Sequence, residues 1–386
     1  MNVVFLSPHF PPQFFHFCAR LRELGVTVLG VGDAPPESLH PDLRAALADY
    51  YCAPNLESYP EAHRALAYLS WKHGKLDRVE SLNEHWLGLE AQLREDFNIA
   101  GPRVEEVRKK RSKTGMASLF HAAGVPCIEG ELFESAGQAR AFARKHGFPL
   151  VLKPDTGVGA ARTFKVSTKA ELDAALEGPL DGFIVQPFIE GGITSFDGLT
   201  GPDGRIVYAT SHVYSGGVME VVNGGLDLFY WSRREIPPEL ERLGRKGVEA
   251  FELRSRFFHF ELFEKADGSY VALEINLRPP GGYTTDMMNF GSDVDVYRLW
   301  AAALTGDGLA GFTFERRHHV AYVARRWNRA YQLRPEQLVE RLGAALILHG
   351  PMPPAFAGAM GDEMYLVRYP EMAAVREAIG LIQAPG

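Results

Sequence analysis

The 386-residue chain is predicted to be an α/β protein whose N-terminal domain is a doubly wound parallel sheet. Strand-like apolar runs alternate with helical stretches from residue 2 to about residue 101. This alternation is typical of parallel sheets covered by helices on both faces. A chain of this length that is 46% hydrophobic and 23% charged is also long enough to form two or three domains.

The N-terminal pattern predicts strands at 3–6, 26–31 and 76–80 and helices at 13–24, 41–48 and 58–73. No Gly-x-Gly-x-x-Gly turn follows the first strand, which argues against a dinucleotide-binding oxidoreductase. Ligands nonetheless bind at the carboxyl ends of the strands in such sheets. We therefore take four residues there as candidates for a substrate cleft, with ordinary turn and capping chemistry as the alternative: Ser7, His9, Asn83 and Glu84.

The second segment combines helices with a strand that opens into a glycine-containing loop. Ser112 is placed to cap a helix over residues 113–123. The later strand at 149–154 carries Lys153 at its end and leads into Gly157 and Gly159. Small residues let backbone N–H groups approach phosphate oxygens, and a lysine there adds a positive charge. By itself the pattern is compatible with a phosphate-binding loop or with a mobile turn.

A hairpin with two acidic residues is the most specific feature of the third segment. A two-residue type I′ turn at Asp267-Gly268 predicts paired residue numbers that sum to 535, which places Glu261 opposite Glu274. Asn276 then lies on the same face. Opposed like charges are destabilising unless a cation lies between them.

Two carboxylates and one amide oxygen are a ligand set that suits Mg²⁺, and substrate phosphates usually complete the coordination of this ion. Arg278 is one step further along the same face, where a guanidinium can bind a phosphate or acyl phosphate. The alternative is an edge hairpin whose glutamates simply face water.

The run from Glu274 to Arg278, followed by Pro280-Gly281-Gly282, resembles the motif that closes the nucleotide site of the ATP-grasp ligases. The resemblance implies a three-part ATP-grasp architecture with an α+β lid. It implies that Glu261, Glu274 and Asn276 bind Mg²⁺, or Mn²⁺ in its place, and that Arg278 contacts the reacting phosphate. His259 and the double glycine are similar to the amino-acid ligase branch.

By the same resemblance, Arg278 and Lys153 are the catalytic residues, and a larger set binds ATP. Two positions depart from the family pattern. Gln186 stands where many members carry Glu, and Ile193 stands where a ribose-binding Glu is common, which leaves Glu190 or Asp197 as substitutes. The implied ATP-binding residues are Lys113, Lys153, Thr156, Gly157, Val158, Gly159, Gln186, Pro187, Phe188, Ile189 and Glu190.

A glycine-rich stretch between Tyr214 and Gly225 is interpreted as a loop that covers the acceptor substrate, or as an ordinary long connection. Arg233 and Arg234 either bind a substrate carboxylate or face solvent. The pair His318-His319 lacks partners at metal-binding spacing and is interpreted as structural. The candidate substrate residues are His212, Tyr214, Arg278, Gly281 and Gly282.

These segments suggest four parts: an N-terminal domain at 1–101, linker helices and lid at 102–190, a body with the hairpin at 191–310, and a C-terminal subdomain at 311–386. The resemblance implies an ATP-dependent ligase that joins a carboxylate to an amine through an acyl phosphate and releases ADP and phosphate. The alternatives are an ATP-grasp carboxylase or carbamoyl-phosphate-type enzyme, and a noncatalytic nucleotide-binding sensor.

Composition and charge limit the kinds of partner that the protein is expected to bind. A net charge of −7 argues against nucleic acid or an anionic membrane as a main partner. The N-terminus lacks the features of a signal peptide, and no run approaches the roughly 20 apolar residues of a spanning helix. Three unclustered cysteines indicate reduced thiols and a cytoplasmic protein. We expect small-molecule carboxylate and amine substrates, with a homodimer left open.

Overall fold

The N-terminal domain is a four-stranded parallel sheet in the order β3-β2-β1-β4. The computed structural model describes residues 1–157, 162–216 and 227–386. The elements of this domain are β1 (Asn2–Leu6), α1 (Phe15–Glu23), β2 (Thr27–Gly32), α2 (Pro41–Ala46), β3 (Asp49–Cys52), α3 (Tyr59–His73), β4 (Arg78–Glu80) and α4 (Leu87–Asp96).

Both faces of this sheet are covered, as predicted. Val3 and Phe5 of β1 pack into one hydrophobic core, while Val4 and Leu6 pack into another on the opposite face. Alternate residues of a strand point to opposite faces, so a strand buried on both sides reads as a continuous apolar run. Sequence reasoning missed β3, because its four residues are only half-buried or exposed and carry no such run.

The second part contains two linker helices and a small antiparallel sheet in the order β5-β8-β6-β7. Its separate core includes Phe142, Leu152 and Phe183. This unit is the predicted α+β lid. Its elements are α5 (Val104–Arg111), α6 (Lys113–Ala122), β5 (Glu131–Leu132), α7 (Ala136–His146), β6 (Leu150–Pro154), β7 (Phe164–Val166), α8 (Lys169–Ala175) and β8 (Phe183–Pro187).

The remainder is built on an antiparallel eight-stranded sheet in the order β13-β12-β9-β10-β11-β14-β16-β15. Its elements are β9 (Gly192–Thr200), β10 (Ile206–Tyr214), β11 (Phe229–Ser232), α9 (Pro238–Ala250), β12 (Phe257–Glu264), β13 (Tyr270–Asn276), α10 (Thr284–Ser292), α11 (Val296–Thr305), β14 (His319–Arg325), α12 (Pro335–Leu342), β15 (Leu346–Pro351), α13 (Pro354–Met360), β16 (Glu363–Tyr369) and α14 (Met372–Ile382).

This sheet runs through the boundary that we predicted at residue 310, because β14, β15 and β16 extend the sheet that holds the hairpin. The four-part division therefore stays an interpretation of the sequence, with its last two parts sharing one sheet. Within the described residues, no helix combines the length and the apolar character that crossing a bilayer requires.

The β12–β13 hairpin confirms the predicted opposition of Glu261 and Glu274, although the predicted turn is wrong. The loop contains three residues, because Lys265 pairs with Ser269 and Gly268 adopts φ +79°. Pairing next to the loop is therefore offset by one residue from the prediction. A bulge at Leu273 then restores the predicted register from Glu261 onward.

A buried ion-pair cluster joins the N-terminal domain to the body. The Arg256 guanidinium lies 2.7 Å from a Glu80 carboxylate oxygen and also donates to the Leu277 carbonyl at 3.3 Å. Arg94 lies 2.8 Å from a Glu90 carboxylate oxygen in the same cluster. Leu277 directly follows β13, so the cluster fixes the end of the strand that carries Glu274.

Candidate functional site

One face of the eight-stranded sheet carries a row of polar side chains. The directly paired residues along this row are Glu274, Glu261, Ser195, His212 and Ser232, one from each of five neighbouring strands. Directly paired residues of antiparallel strands point to the same face, with Cβ atoms about 4.5–5.5 Å apart. The sheet register therefore brings the predicted metal ligands and the predicted substrate residue His212 onto one surface.

A second row lies two residues further along and contains Asn276, His259 and Asp197. The opposite face of the same strands is apolar and includes Phe260 and Ile275, which pack into a large core beneath helices α6 and α9. The alternation of polar and apolar residues along β12 and β13 thus separates a packed face from a chemically active one.

Two lysines stand beside the opposed acids. The Lys113 ammonium lies 3.8 Å from a carboxylate oxygen of Glu274. Burial, together with the charge of Lys113 and against the opposing effects of Glu274 and Glu261, lowers the pKa of Lys153 to about 8. These mutual effects place both lysines and both acids in one electrostatic cluster.

Asp155 positions these lysines relative to each other. Its carboxylate accepts hydrogen bonds from the backbone N–H of Thr114 at 2.9 Å and from the hydroxyl of Ser112 at 2.7 Å, while its carbonyl accepts from the Lys113 N–H at 2.9 Å. The first turn of α6 is thereby fixed to the chain that follows Lys153 on β6. Sequence reasoning found both lysines but missed this connection.

Asp197 is the centre of a buried hydrogen-bond relay. One carboxylate oxygen bonds Nδ1 of His259 and the other bonds Nδ1 of His212, each at 2.6 Å, and Ser195 donates its hydroxyl to the same carboxylate. Burial alone would raise the pKa of Asp197, but the two histidines lower it to about 2. Asp197 is therefore an ionised acceptor whose oxygens are already bound, which leaves Glu190 as the more accessible of the two candidates for the ribose contact.

His259 connects this relay to the metal face. Its Nε2 lies 3.5 Å from a carboxylate oxygen of Glu261. Burial lowers the pKa of His259, but the charges and hydrogen bonds of Asp197 and Glu261 raise it to about 9. Burial correspondingly raises the pKa of Glu261, yet His259 and the charge of Arg278 lower it overall. Glu261 is thus held as a carboxylate in a defined orientation.

Arg278 and the double glycine lie beyond the end of β13. The Arg278 guanidinium is half-buried and donates to the Pro279 carbonyl at 2.8 Å. Gly282 has φ +62°, and a side chain there would collide with Met360. Its carbonyl accepts from the Gln13 side chain at 2.5 Å, so the turn that precedes α1 in the N-terminal domain closes this side of the site.

The predicted ATP-binding residues from Gln186 to Glu190 lie in the connection between lid and body. Gln186 is buried, whereas Pro187 and Ile189 are half-buried and Glu190 is exposed. The Phe188 N–H donates to the Pro149 carbonyl at 3.0 Å, and the Lys165 ammonium lies 3.6 Å from the centre of the Phe188 ring. Because Glu190 is exposed, its carboxylate is available for the predicted ribose contact.

The structure describes only part of the predicted phosphate loop. Thr156 and Gly157 are exposed after β6, while Val158 and Gly159 lie outside the described residues. Most of the predicted substrate-covering loop, residues 217–226, also lies outside them. The Lys113 ammonium lies 3.4 Å from the Gly157 carbonyl, which brings the start of the phosphate loop to the lysine and acid cluster.

Three tyrosines on neighbouring strands lie in a row beside His212. Tyr214, Tyr230 and Tyr322 are successive cross-strand neighbours with ring centres 5.3 and 4.9 Å apart. The Tyr230 hydroxyl lies 3.2 Å from Thr284 Oγ1, close to the double glycine. Tyr214 was a predicted substrate residue, whereas sequence reasoning did not identify Tyr322.

Several other candidates are occupied by structural contacts. Arg233 pairs with Glu264 at 2.7 Å, and Arg234 donates to the Pro370 carbonyl, so neither reaches toward the polar row in this structure. His319 bonds the Ser232 carbonyl at 3.0 Å.

The candidates in the N-terminal domain also make local structural contacts. Asn83 accepts from the His85 N–H, which is ordinary capping, and Glu84 pairs with Arg111 at 2.9 Å. Ser7 is buried at φ +50°, and His9 is half-buried 3.4 Å from Asp33.

No protein-family model matches the chain. An L-arginine-specific L-amino acid ligase from Bacillus subtilis is 24% identical over 244 residues, which are 60% of this chain and 58% of that relative. The matched stretch therefore covers less than two thirds of the relative's length. An L-amino acid ligase from Bacillus licheniformis superposes with a TM-score of 0.74 and 17% identity, covering 98% of this chain and 97% of that structure.

The chain has the ATP-grasp fold. A third similar structure carries the same fold, the biotin carboxylase domain of a 2-oxoglutarate carboxylase from Hydrogenobacter thermophilus, solved with MgADP, ADP and bicarbonate. Its TM-score is 0.68, with 16% identity over 97% of this chain and 88% of that one. The predicted α/β class and three-part ATP-grasp architecture are confirmed.

The donor set of this candidate site fits a magnesium ion that is shared with a polyphosphate. Within the described ranges, no cluster of three His, Cys, Asp or Glu side chains can hold a metal by itself. Glu261 and Glu274 oppose each other, and Asn276 lies beside Glu274 with a 3.4 Å hydrogen bond. Two carboxylates and an amide suit Mg²⁺ when phosphate oxygens complete the coordination.

Proposed function

We propose that this protein is an ATP-dependent ligase that joins a carboxylate to an amine through an acyl phosphate, releasing ADP and phosphate. The observation that carries the proposal is the single face on which Glu261 and Glu274 oppose each other beside Lys113 and Lys153. Oxygen ligands for a hard cation and positive charges for a polyphosphate thus meet at one place. A phosphoryl-transfer enzyme needs this combination.

The residues divide the work of phosphoryl transfer between them. Lys113 and Lys153 neutralise the phosphate oxygens, and Glu261, Glu274 and Asn276 would hold Mg²⁺. When bound, Mg²⁺ neutralises charge on the transferring phosphoryl group. Arg278 orients the substrate carboxylate and stabilises charge as that carboxylate attacks the γ-phosphate of ATP. The amine then displaces phosphate from the acyl group to form the amide.

We further propose that the substrates are amino acids or molecules that carry similar groups. The support is the similarity to proteins named L-amino acid ligases, one of which superposes over 98% of this chain. We expect the protein to act in the cytoplasm, where ATP and reduced thiols occur together, and its three cysteines are unpaired.

The test is a screen of carboxylate and amine pairs for release of ADP and phosphate, with hydroxylamine as a trapping nucleophile. We expect ADP only with a cognate carboxylate, together with its hydroxamate. A nucleotide-binding sensor would form neither product, and a carboxylase would require bicarbonate. The Glu274→Gln variant serves as the inactive control, and Glu264→Gln at the end of the same hairpin serves as the matched active control.

A further inference from the structure

The unused ring nitrogen of His212 points to a role in the amine-transfer step. His212 is fully buried, and its Nε2 has no hydrogen-bond partner among the residues that the structure describes. Buried polar atoms are nearly always paired, because an unpaired one destabilises the fold. A retained unpaired nitrogen beside a candidate active site therefore suggests a partner that arrives with the substrate.

Asp197 determines which ring nitrogen of His212 is free. An ionised carboxylate can only accept hydrogen bonds, so His212 Nδ1 must be the donor in the 2.6 Å contact. With its ring proton on Nδ1, His212 keeps the lone pair of Nε2 free to accept a hydrogen bond. This arrangement of an acid that fixes the tautomer of a histidine base is the logic of a hydrolase triad.

The position of His212 fits an amine on the acceptor side of the site. Nδ1 faces Asp197 on β9, which directs Nε2 away from that strand. On β11, the Tyr230 ring lies 6.3 Å away and nearly perpendicular. The Tyr230 hydroxyl is close to Gly282, so His212 stands between the metal face and the double glycine. The ionisable groups packed around the relay are Asp197, His259, Tyr214 and Tyr230.

We propose that His212 Nε2 accepts the proton of the attacking amine, a role that rests on the proposed ligase function. The substrate ammonium gives one proton to Nε2, and the nitrogen lone pair then forms the C–N bond to the acyl carbon. The bond between that carbon and the phosphate oxygen breaks, and its electron pair leaves with the phosphate. The second amine proton leaves on the phosphate, as HPO₄²⁻. Asp197 acts as a positioning residue.

The test compares two nucleophiles in the His212→Gln variant. Hydroxylamine is uncharged at neutral pH and needs no base, whereas an amino acid arrives as an ammonium ion. We expect amide formation to fall by about a hundredfold or more, while hydroxamate formation stays within about threefold of wild type. Asp197→Asn is close in shape and should shift the same ratio, because its amide can donate to Nδ1 and leave the proton on Nε2.

The matched control is His319→Gln on β14, which should leave the ratio of amide to hydroxamate unchanged. A wild-type enzyme that makes neither product overturns the ligase function and this role together. A wild-type enzyme that makes both, with His212→Gln and Asp197→Asn losing them equally, overturns only the role of His212. Thermal unfolding of each variant shows whether both products are lost because the variant does not fold. In that case the ratio of amide to hydroxamate in the better-folded variant decides whether His212 acts as the base.

Discussion

Two clusters of charge in this molecule, one buried and one half-buried, are built in opposite ways. The closed cluster, formed by Glu80, Glu90, Arg94 and Arg256, pairs two acids with two arginines at distances as short as 2.7 Å. The open cluster contains Glu261, Glu274, Lys113, Lys153 and Arg278, and its acids face each other while the nearest lysine stays 3.8 Å away.

The difference separates structure from function. In the closed cluster every charge meets an opposite charge, which suits a joint between domains. In the open cluster like charges are held together and the cations outnumber the two acids, so the site is incomplete without an anionic ligand and a cation. A region where like charges are held side by side is the better candidate for catalysis.

The largest effect on turnover is expected for Glu274→Gln in the open cluster. We expect turnover to fall on the order of a thousandfold, because a group that acts on the transition-state charge is lost. Stability should change by less than about 1 kcal/mol, since an opposed like charge is removed. Steady-state ADP release and urea unfolding measure the two effects. Wild-type turnover with unchanged Mg²⁺ dependence would show that the acids do not form a metal site.

The opposite behaviour is expected for Arg256→Ala in the closed cluster. Removing one partner leaves buried carboxylates unpaired, so the free energy of unfolding should fall by about 3–5 kcal/mol. Arg245→Ala is the matched control, because its ion pair with Glu241 is exposed and contributes about 1 kcal/mol at most. Equal stabilities of these two variants in urea unfolding would contradict a structural role for the closed cluster.

A smaller effect is expected for His259→Asn, which leaves both acids in place. Losing the histidine that orients Glu261 should weaken metal affinity by about 10–100-fold. Mn²⁺ binding followed by electron paramagnetic resonance, with ATP present, measures this without relying on turnover. His349→Asn, which removes a histidine paired with Glu363 elsewhere, is the control. Equal Mn²⁺ affinity in the two variants would exclude the orienting role.

The mildest prediction concerns pH and Lys153. Burial lowers its pKa to about 8, and bound phosphates would favour the charged form and raise it. ATP binding should therefore take up a proton above pH 8, and affinity should fall by at most about tenfold per pH unit. Calorimetry in buffers of different ionisation enthalpy measures the proton uptake. In Lys153→Arg the dependence should disappear, and a flat wild-type profile would contradict the assignment.

The sequence was sufficient where local chemistry dictates structure. The parallel N-terminal sheet follows from apolar runs such as Val3 to Leu6, and the opposition of Glu261 and Glu274 was predicted from the Asp-Gly dipeptide. The second prediction is correct only because two differences from it cancel. The three-residue loop shifts the register by one residue, and the bulge at Leu273 shifts it back. Bulges depend on cross-strand packing, which a turn motif does not specify.

The sequence was insufficient where side chains meet across strands. Ser195, Asp197, His212 and His259 come from three strands, and only their pairing register reveals the relay. From the sequence alone Asp197 is therefore one of two candidates for the ribose contact, although the structure buries it between two histidines. The extension of the body sheet by β14 likewise depends on long-range pairing with β11. A local pattern does not contain such contacts.

The most direct test of the central claim uses a cognate carboxylate labelled with ¹⁸O in both carboxyl oxygens. If the open cluster transfers the γ-phosphoryl group to that carboxylate, one labelled oxygen must leave with the inorganic phosphate at each turnover while the other stays in the amide. Mass spectrometry of the phosphate should therefore show one ¹⁸O per molecule. Unlabelled phosphate, or label found in AMP, would contradict the acyl-phosphate mechanism.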